Sequence, residues 1–195
     1  MSEFEFVIVV FAIILGLSIS EILAGWADQI RARKRLHAYP LQLFSTGYIL
    51  FFSLNFIWLL WLFRDIEWTF AIFLVVAFPA LLVALASRVG KADTTADAPS
   101  LRDQYFKSSA PVYCLLALML PIVISVSFFT DLRAALPDPP NLIFVTLVRV
   151  LMIFLFIGLA LSKNERFHWF ALGFIWLAQI WFLVRLGESL SNMAA

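Results

Sequence analysis

The sequence predicts an all-α polytopic membrane protein, a bundle of six transmembrane helices forming a single domain over residues 1–195. Three observations predict it. Hydrophobic residues make up 63% of the chain and charged residues 14%, where a soluble domain has about half and about a quarter. The mean hydropathy is +0.95. The apolar residues fall in six long runs, continuous rather than alternating, separated by short charged loops. About 20 apolar residues in a helix cross roughly 30 Å of hydrocarbon, and only helices or closed barrels satisfy their own backbone groups there. Continuous runs select helices. The expected spans are 4–24, 41–63, 68–86, 110–130, 142–161 and 167–184.

Span 1 opens with Glu3 and Glu5, where a cleavable signal peptide carries basic residues, so this run is read as a membrane helix. Ala12, Gly16, Ser20 and Ala24 recur every fourth residue as a small-residue stripe for close helix packing. Ser18, Glu21, Gly25 and Asp28 form a more polar face, while Leu15, Ile19, Ile22 and Trp26 are expected to face lipid. The helix is expected to run on to about Leu36 as a basic extension, whose Arg31, Arg33, Lys34 and Arg35 can meet anionic lipid heads. Glu21 falls near the inner edge of the bilayer. A carboxylate there is a candidate cation or proton site, or else it pairs with a basic loop.

Span 2 carries Asn55, and Trp58, Trp61 and Trp68 mark the outer interface. Pro79 in span 3 and Pro121 in span 4 are expected to kink their helices. The loop from Ser87 to Ser109 has the composition of turns and disorder. Cys114, the single cysteine, excludes an internal disulfide and reads as a small buried hydrophobe. The connector 131–141, with Pro137, Asp138, Pro139 and Pro140, reads as a stiff extended link.

Span 5 holds Arg149. A cation at depth costs about 2.5–3.5 kcal/mol unless it finds partners or water, and an arginine cannot shed its proton to escape. Asn55 and Gln179 fall at similar depth and can offer carbonyl oxygens, so Arg149, Asn55 and Gln179 are expected to form a polar layer in the outer half of the membrane. Such a layer attracts anions or lipid heads, or else locks helices together. Span 6 ends with Arg185 and Glu188, spaced for an i,i+3 pair. His37 and His168 fall near the inner edge, and nothing else supports a haem between them.

Ten basic residues lie in the loops 1–2, 3–4 and 5–6, and three on the opposite side. The excess of Lys and Arg faces the cytoplasm, which puts both termini outside. A net charge of +1 argues against nucleic acid as a partner. No P-loop, dinucleotide fingerprint, HExxH or metal-spaced carboxylate pair appears, and no membrane lysine is available for a retinal Schiff base. Neither an enzyme nor a cofactor is therefore expected.

The opening Phe4-Glu5-Phe6-Val7, then Ile14-Leu15-Gly16-Leu17-Ser18-Ile19 and the basic Arg31-Ala32-Arg33, resembles small bacterial inner-membrane proteins with no assigned activity. The resemblance covers mainly the first 40 residues and implies a bacterial inner membrane without implying a mechanism. The sequence is expected to encode a small homo-oligomeric channel or carrier for an ion or small solute. Arg149, Asn55 and Gln179 would make its outer layer, with Glu21 and Ser18 further in. The alternative is a non-catalytic scaffold or accessory subunit that holds a partner protein or anionic lipid through its basic loops.

Overall fold

A computed structural model of the chain describes residues 3–34, 37–61, 64, 67–95, 97–129 and 139–194, with side chains described outside 126–129, 139–142 and 185–194. The elements are α1 (Glu3–Arg31), α2 (Pro40–Leu60), α3 (Phe70–Val89), α4 (Leu101–Phe129), α5 (Pro139–Leu161) and α6 (Glu165–Ala194). Among the described residues six helices are long and apolar enough to cross a membrane. The chain is an integral membrane protein built as an all-α bundle.

Local chemistry sets the helix starts. Pro40 sits at the first position of α2, where a missing N–H costs nothing. Thr69 caps α3 by accepting from Ile72 N at 3.3 Å. Asn164 caps α6 by accepting from Arg166 N at 3.0 Å. Ser100 caps α4: its Oγ accepts from Asp103 N at 3.2 Å and donates to Asp103 Oδ2 at 2.6 Å. That cap corrects the sequence reading. α4 begins at Leu101 rather than near Ala110, because Leu101 and Tyr105 are buried and pull the extra turns into the bundle.

The same region corrects the expectation of disorder between Ser87 and Ser109. Its two ends are helical, and Gln104 ties the middle down. The Gln104 Nε2 donates to the carbonyls of Asp93 and Pro99, both at 2.8 Å, and its Oε1 accepts from Asp93 N at 2.7 Å. Asp93 in turn accepts from Thr95 N at 2.9 Å, and this bond holds the Asp93 carboxyl below its usual range. α1 ends at Arg31 with turns over 32–34, earlier than the expected extension to Leu36. Arg35, Asp65, Arg133, most of the proline connector, and the side chains of Arg185 and Glu188 lie outside the described residues.

The helices close a ring in the order α1, α3, α4, α5, α6, α2, and α2 also touches α3 and α4. α2 therefore sits against α1, α3, α4 and α6, and its Tyr48 also reaches Phe156 of α5. Its buried side chains include Gln42, Ser45, Thr46, Ser53 and Asn55, besides Tyr48 and Phe52. Aromatic rings fill the seams. Phe11 lies 6.0 Å from both Phe56 and Phe73, and Tyr48 packs on Phe156 and Trp176. The outer surface shows Ile13, Leu17, Phe70, Leu118, Phe154 and Phe170, all more than half exposed, which is the face a bilayer covers.

The faces of α1 are the reverse of those expected. Val7, Phe11, Leu15, Ser18, Ile22, Gly25 and Gln29 are buried, whereas Ala12, Gly16, Ser20 and Ala24 point outward. A Cβ built on Gly16 would meet nothing within 4 Å. In lipid both faces of an apolar helix are tolerated, so shape decides, and the larger side chains interlock with α2 and α3. Trp26, expected to face lipid, donates from Nε1 to Thr46 Oγ1 at 2.9 Å. Cys114 is exposed rather than buried.

Candidate functional site

The polar residues of α2 follow a helical stripe. Gln42, Ser45, Thr46, Ile49 and Ser53 lie on one face and look into the bundle. Ser53 approaches Ser18 of α1 at 3.4 Å and donates to Ile49 O at 2.8 Å. Thr46 donates to Gln42 O at 2.9 Å while it receives Trp26. Gln42 donates from Nε2 to the Gly90 carbonyl at 3.2 Å, which fixes α2 to the end of α3.

Ser45 begins a continuous chain of hydrogen bonds. Tyr113 Oη of α4 donates to Ser45 Oγ at 2.9 Å. Tyr105 Oη, two turns earlier, lies 2.9 Å from Tyr113 Oη and 2.7 Å from His168 Nδ1 of α6. His168 Nε2 lies 2.9 Å from the Ser162 carbonyl in the α5–α6 turn, and because a carbonyl only accepts, Nε2 carries a proton. The chain thus joins α2, α4, α6 and the turn before α6. All four side chains are buried: Ser45 is 5% exposed, Tyr105 3%, Tyr113 1% and His168 0%. Phe106 stands 5.1 Å from the imidazole, and Tyr113 stacks on Phe156 at 6.1 Å, so the surroundings are apolar. In that setting each bond is strong and each missing partner costly.

Beside the chain lies a small cavity between α2, α4 and the end of α3, bounded by Gln42, Ser45, Tyr105, Ser109, Val112 and Tyr113. Its 10 Å³, open to the centre of a water-sized sphere, is room for about one water. Gln42 is one of its lining residues, and the Gln42 Oε1 is buried without a hydrogen-bond donor.

Two ion pairs frame this end of the bundle. Lys91 Nζ meets Glu21 Oε2 at 2.9 Å, and the lysine stem crosses Gly25, where an added Cβ would stand 3.4 Å from Lys91 Cγ. Arg102 Nε meets Glu165 Oε2 at 3.2 Å and lies over the Phe106 ring. Tyr39, just before α2, packs on Tyr105 at 5.5 Å. Burial first, and then the Glu165 carboxylate, push its hydroxyl up to about 12.

The residues singled out by sequence divide between two zones. Ser18 joins the α2 stripe through Ser53. Glu21 is paired to a loop lysine. Asn55 lies ten residues beyond Ser45 and Gln179 eleven beyond His168, each about 15 Å further along its helix. Both are buried, but Asn55 Oδ1 accepts no hydrogen bond, so it does not serve the guanidinium as expected. Arg149 instead lies over the Phe182 ring at 5.4 Å, along the α5–α6 seam. Tyr48, Phe52, Leu172 and Ile175 fill the space between the two zones. Comparison with protein families, curated proteins and solved structures found no match. Among the described residues no group of three or more His, Cys, Asp or Glu side chains comes together as a metal site.

Sequence reading placed His168 near the inner edge without the partners it has here, and it missed Tyr105, Tyr113, Ser45 and Gln42. The signal was present in the Gln42, Ser45, Thr46, Ser53 spacing, and in Tyr105 and Tyr113 sharing a helix that starts at the Ser100 cap.

Proposed function

We propose that this chain is a transport-class membrane protein, a small carrier or channel for an ion or small solute, with its working site at the basic-loop end of the bundle. The observation that carries the reading is the buried chain Ser45–Tyr113–Tyr105–His168, four hydrogen-bonding side chains linked across three helices beside a small cavity. Polar and ionisable side chains are expensive inside a membrane and concentrate where substrates or protons pass. The apolar layer of Tyr48, Phe52, Leu172 and Ile175 separates this site from Asn55 and Gln179, which favours a carrier that must rearrange over an open pore. We place the protein in a bacterial inner membrane, with the basic loops cytoplasmic and both termini outside. The outward stripe Ala12, Gly16, Ser20 and Ala24 suits contact between copies of the chain, and so a homo-oligomer. The test is flux in liposomes for protons and a panel of cations and anions, against protein-free vesicles. Flux above background for at least one species supports the reading, and silence from folded protein across the panel removes it.

One observation favours the scaffold reading. Arg31, Arg33, Lys34, Arg88, Lys107, Lys163 and Arg166 are all exposed at the same end. Such a basic rim suits anionic lipid heads or an acidic partner. Selective binding to anionic vesicles, in protein that carries no flux, would favour this second reading.

A further inference from the structure

We propose that Ser45, Tyr113, Tyr105 and His168 form a proton-binding chain that stores its charge on His168 and opens at its other end on the cavity beside Gln42. The inference does not depend on transport; it holds for a scaffold as well. It follows from counting protons along four consecutive hydrogen bonds.

Ser162 O only accepts, so His168 Nε2 holds a proton in every state. In the neutral ring Nδ1 is then bare and must accept from Tyr105. The single proton of Tyr105 is thereby used, so Tyr113 donates to Tyr105, and for Tyr113 to receive a proton Ser45 must rotate its hydroxyl, the reverse of the Tyr113-to-Ser45 direction that the geometry shows. Every proton points toward the α5–α6 turn. In the doubly protonated ring the order reverses: Nδ1 donates to Tyr105, Tyr105 to Tyr113, and Tyr113 to Ser45, which is the direction that the Tyr113–Ser45 geometry suits. Ser45 is then free to turn its own proton into the cavity. Among the residues that line the cavity, Gln42 holds an acceptor with no donor, its Oε1, on a side chain 2% exposed.

The two states interconvert without any other reactant. A hydronium in the cavity gives its proton to Ser45 Oγ and leaves as water. Ser45 passes its original proton to Tyr113, Tyr113 to Tyr105, and Tyr105 to Nδ1. Four O–H bonds break, three O–H bonds and one Nδ1–H bond form, and the net products are one water and one imidazolium. The groups that face His168 are few. Tyr105 and Tyr113 come from α4, Glu165 precedes it by one turn on α6, and Tyr39 lies behind Tyr105. Glu165 is itself held by Arg102, Lys163 in the α5–α6 turn is exposed, and α5 contributes the apolar Phe156 behind Tyr113.

The experiment is a titration of ¹⁵N-histidine-labelled full-length protein in zwitterionic nanodiscs, from about pH 4 to about pH 8. The chain has two histidines, and the exposed His37 is the internal reference. His168 is expected to show a single Nε2–H at high pH and two N–H groups at low pH. Gln42→Leu removes the terminal acceptor, and Tyr113→Phe breaks the chain. Each is expected to weaken proton binding at His168 by about threefold or more, with His37 unchanged. Leu118→Ala, on the lipid-facing side of the helix that carries Tyr105 and Tyr113, should leave His168 unchanged. A folded wild-type protein whose His168 stays neutral at the acid end, or carries its lone proton on Nδ1, overturns the proposal. So does a folded Gln42→Leu or Tyr113→Phe protein that titrates like wild type. The wild-type titration decides even if a variant does not fold, and none of these outcomes depends on flux.

Discussion

Removing one phenolic oxygen from α4 should weaken the bundle by an amount that depends on which of two tyrosines loses it. Tyr113 Oη makes contacts of 2.9 Å to Ser45 and to Tyr105. Interhelical hydrogen bonds in membranes average about 0.6 kcal/mol each, with a maximum near 1.7 kcal/mol. Tyr113→Phe strands nothing, because Ser45 can turn to the carbonyl one turn back on its own helix and Tyr105 keeps His168. Its expected cost is about 1–2 kcal/mol. Tyr105→Phe also removes two contacts, at 2.7 Å and 2.9 Å, but leaves His168 Nδ1 buried without its partner. An unsatisfied buried group adds about 1–3 kcal/mol, so the expected cost rises to about 2–4 kcal/mol. The assay is reversible unfolding in mixed micelles by SDS titration, followed by circular dichroism. Tyr113→Phe costing as much as Tyr105→Phe, or both lying within about 0.3 kcal/mol of wild type, would refute the hydrogen-bonded chain as an element of stability.

Gly158 of α5 should not accept a side chain, since a Cβ there would stand 2.8 Å from Phe167 Cζ; Gly158→Leu is expected to lose about 1–3 kcal/mol in the same titration. Gly16→Leu should leave the unfolding of the isolated chain unchanged, and a loss of oligomer by cross-linking or light scattering would then place α1 between copies. Glu21→Lys should loosen the end of α1 against the loop after α3, seen as faster hydrogen exchange, and Lys91→Glu in the same chain should restore it. Gln104→Ala should open the segment 91–100 to protease in intact, folded protein. The Asp93 carboxyl is held low in the folded state, so its contribution to that loop is present above the ordinary carboxylate range and is lost as pH falls through the folded value; protease resistance should decline below about pH 4.

Hydropathy alone located the six spans, because long apolar runs have no alternative in lipid. It could not orient α1. The stripe Ala12, Gly16, Ser20 and Ala24 looks like a packing face, yet the chain packs through Phe11, Leu15 and Ile22, whose partners Phe56 and Phe73 belong to other spans. The start of α4 was legible in Ser100-Leu101-Arg102-Asp103, a capping pattern masked by the polar composition around it. The site was harder to read, because a sequence search for function weighs charge at depth and so favours Arg149 and Glu21. The residues that assemble into a chain are neutral hydroxyls and one imidazole near helix ends. Their meaning depends on contacts such as Tyr105 with His168, 63 positions apart in the sequence.

The most direct test of a working site at this end is proton and ion flux in liposomes, comparing wild type with Tyr113→Phe and with Leu118→Ala on the lipid-facing side of the same helix. Flux altered by at least about threefold in Tyr113→Phe, and unchanged in Leu118→Ala, is the predicted result. Equal flux in all three folded proteins would contradict a site built on the Ser45–Tyr113–Tyr105–His168 chain.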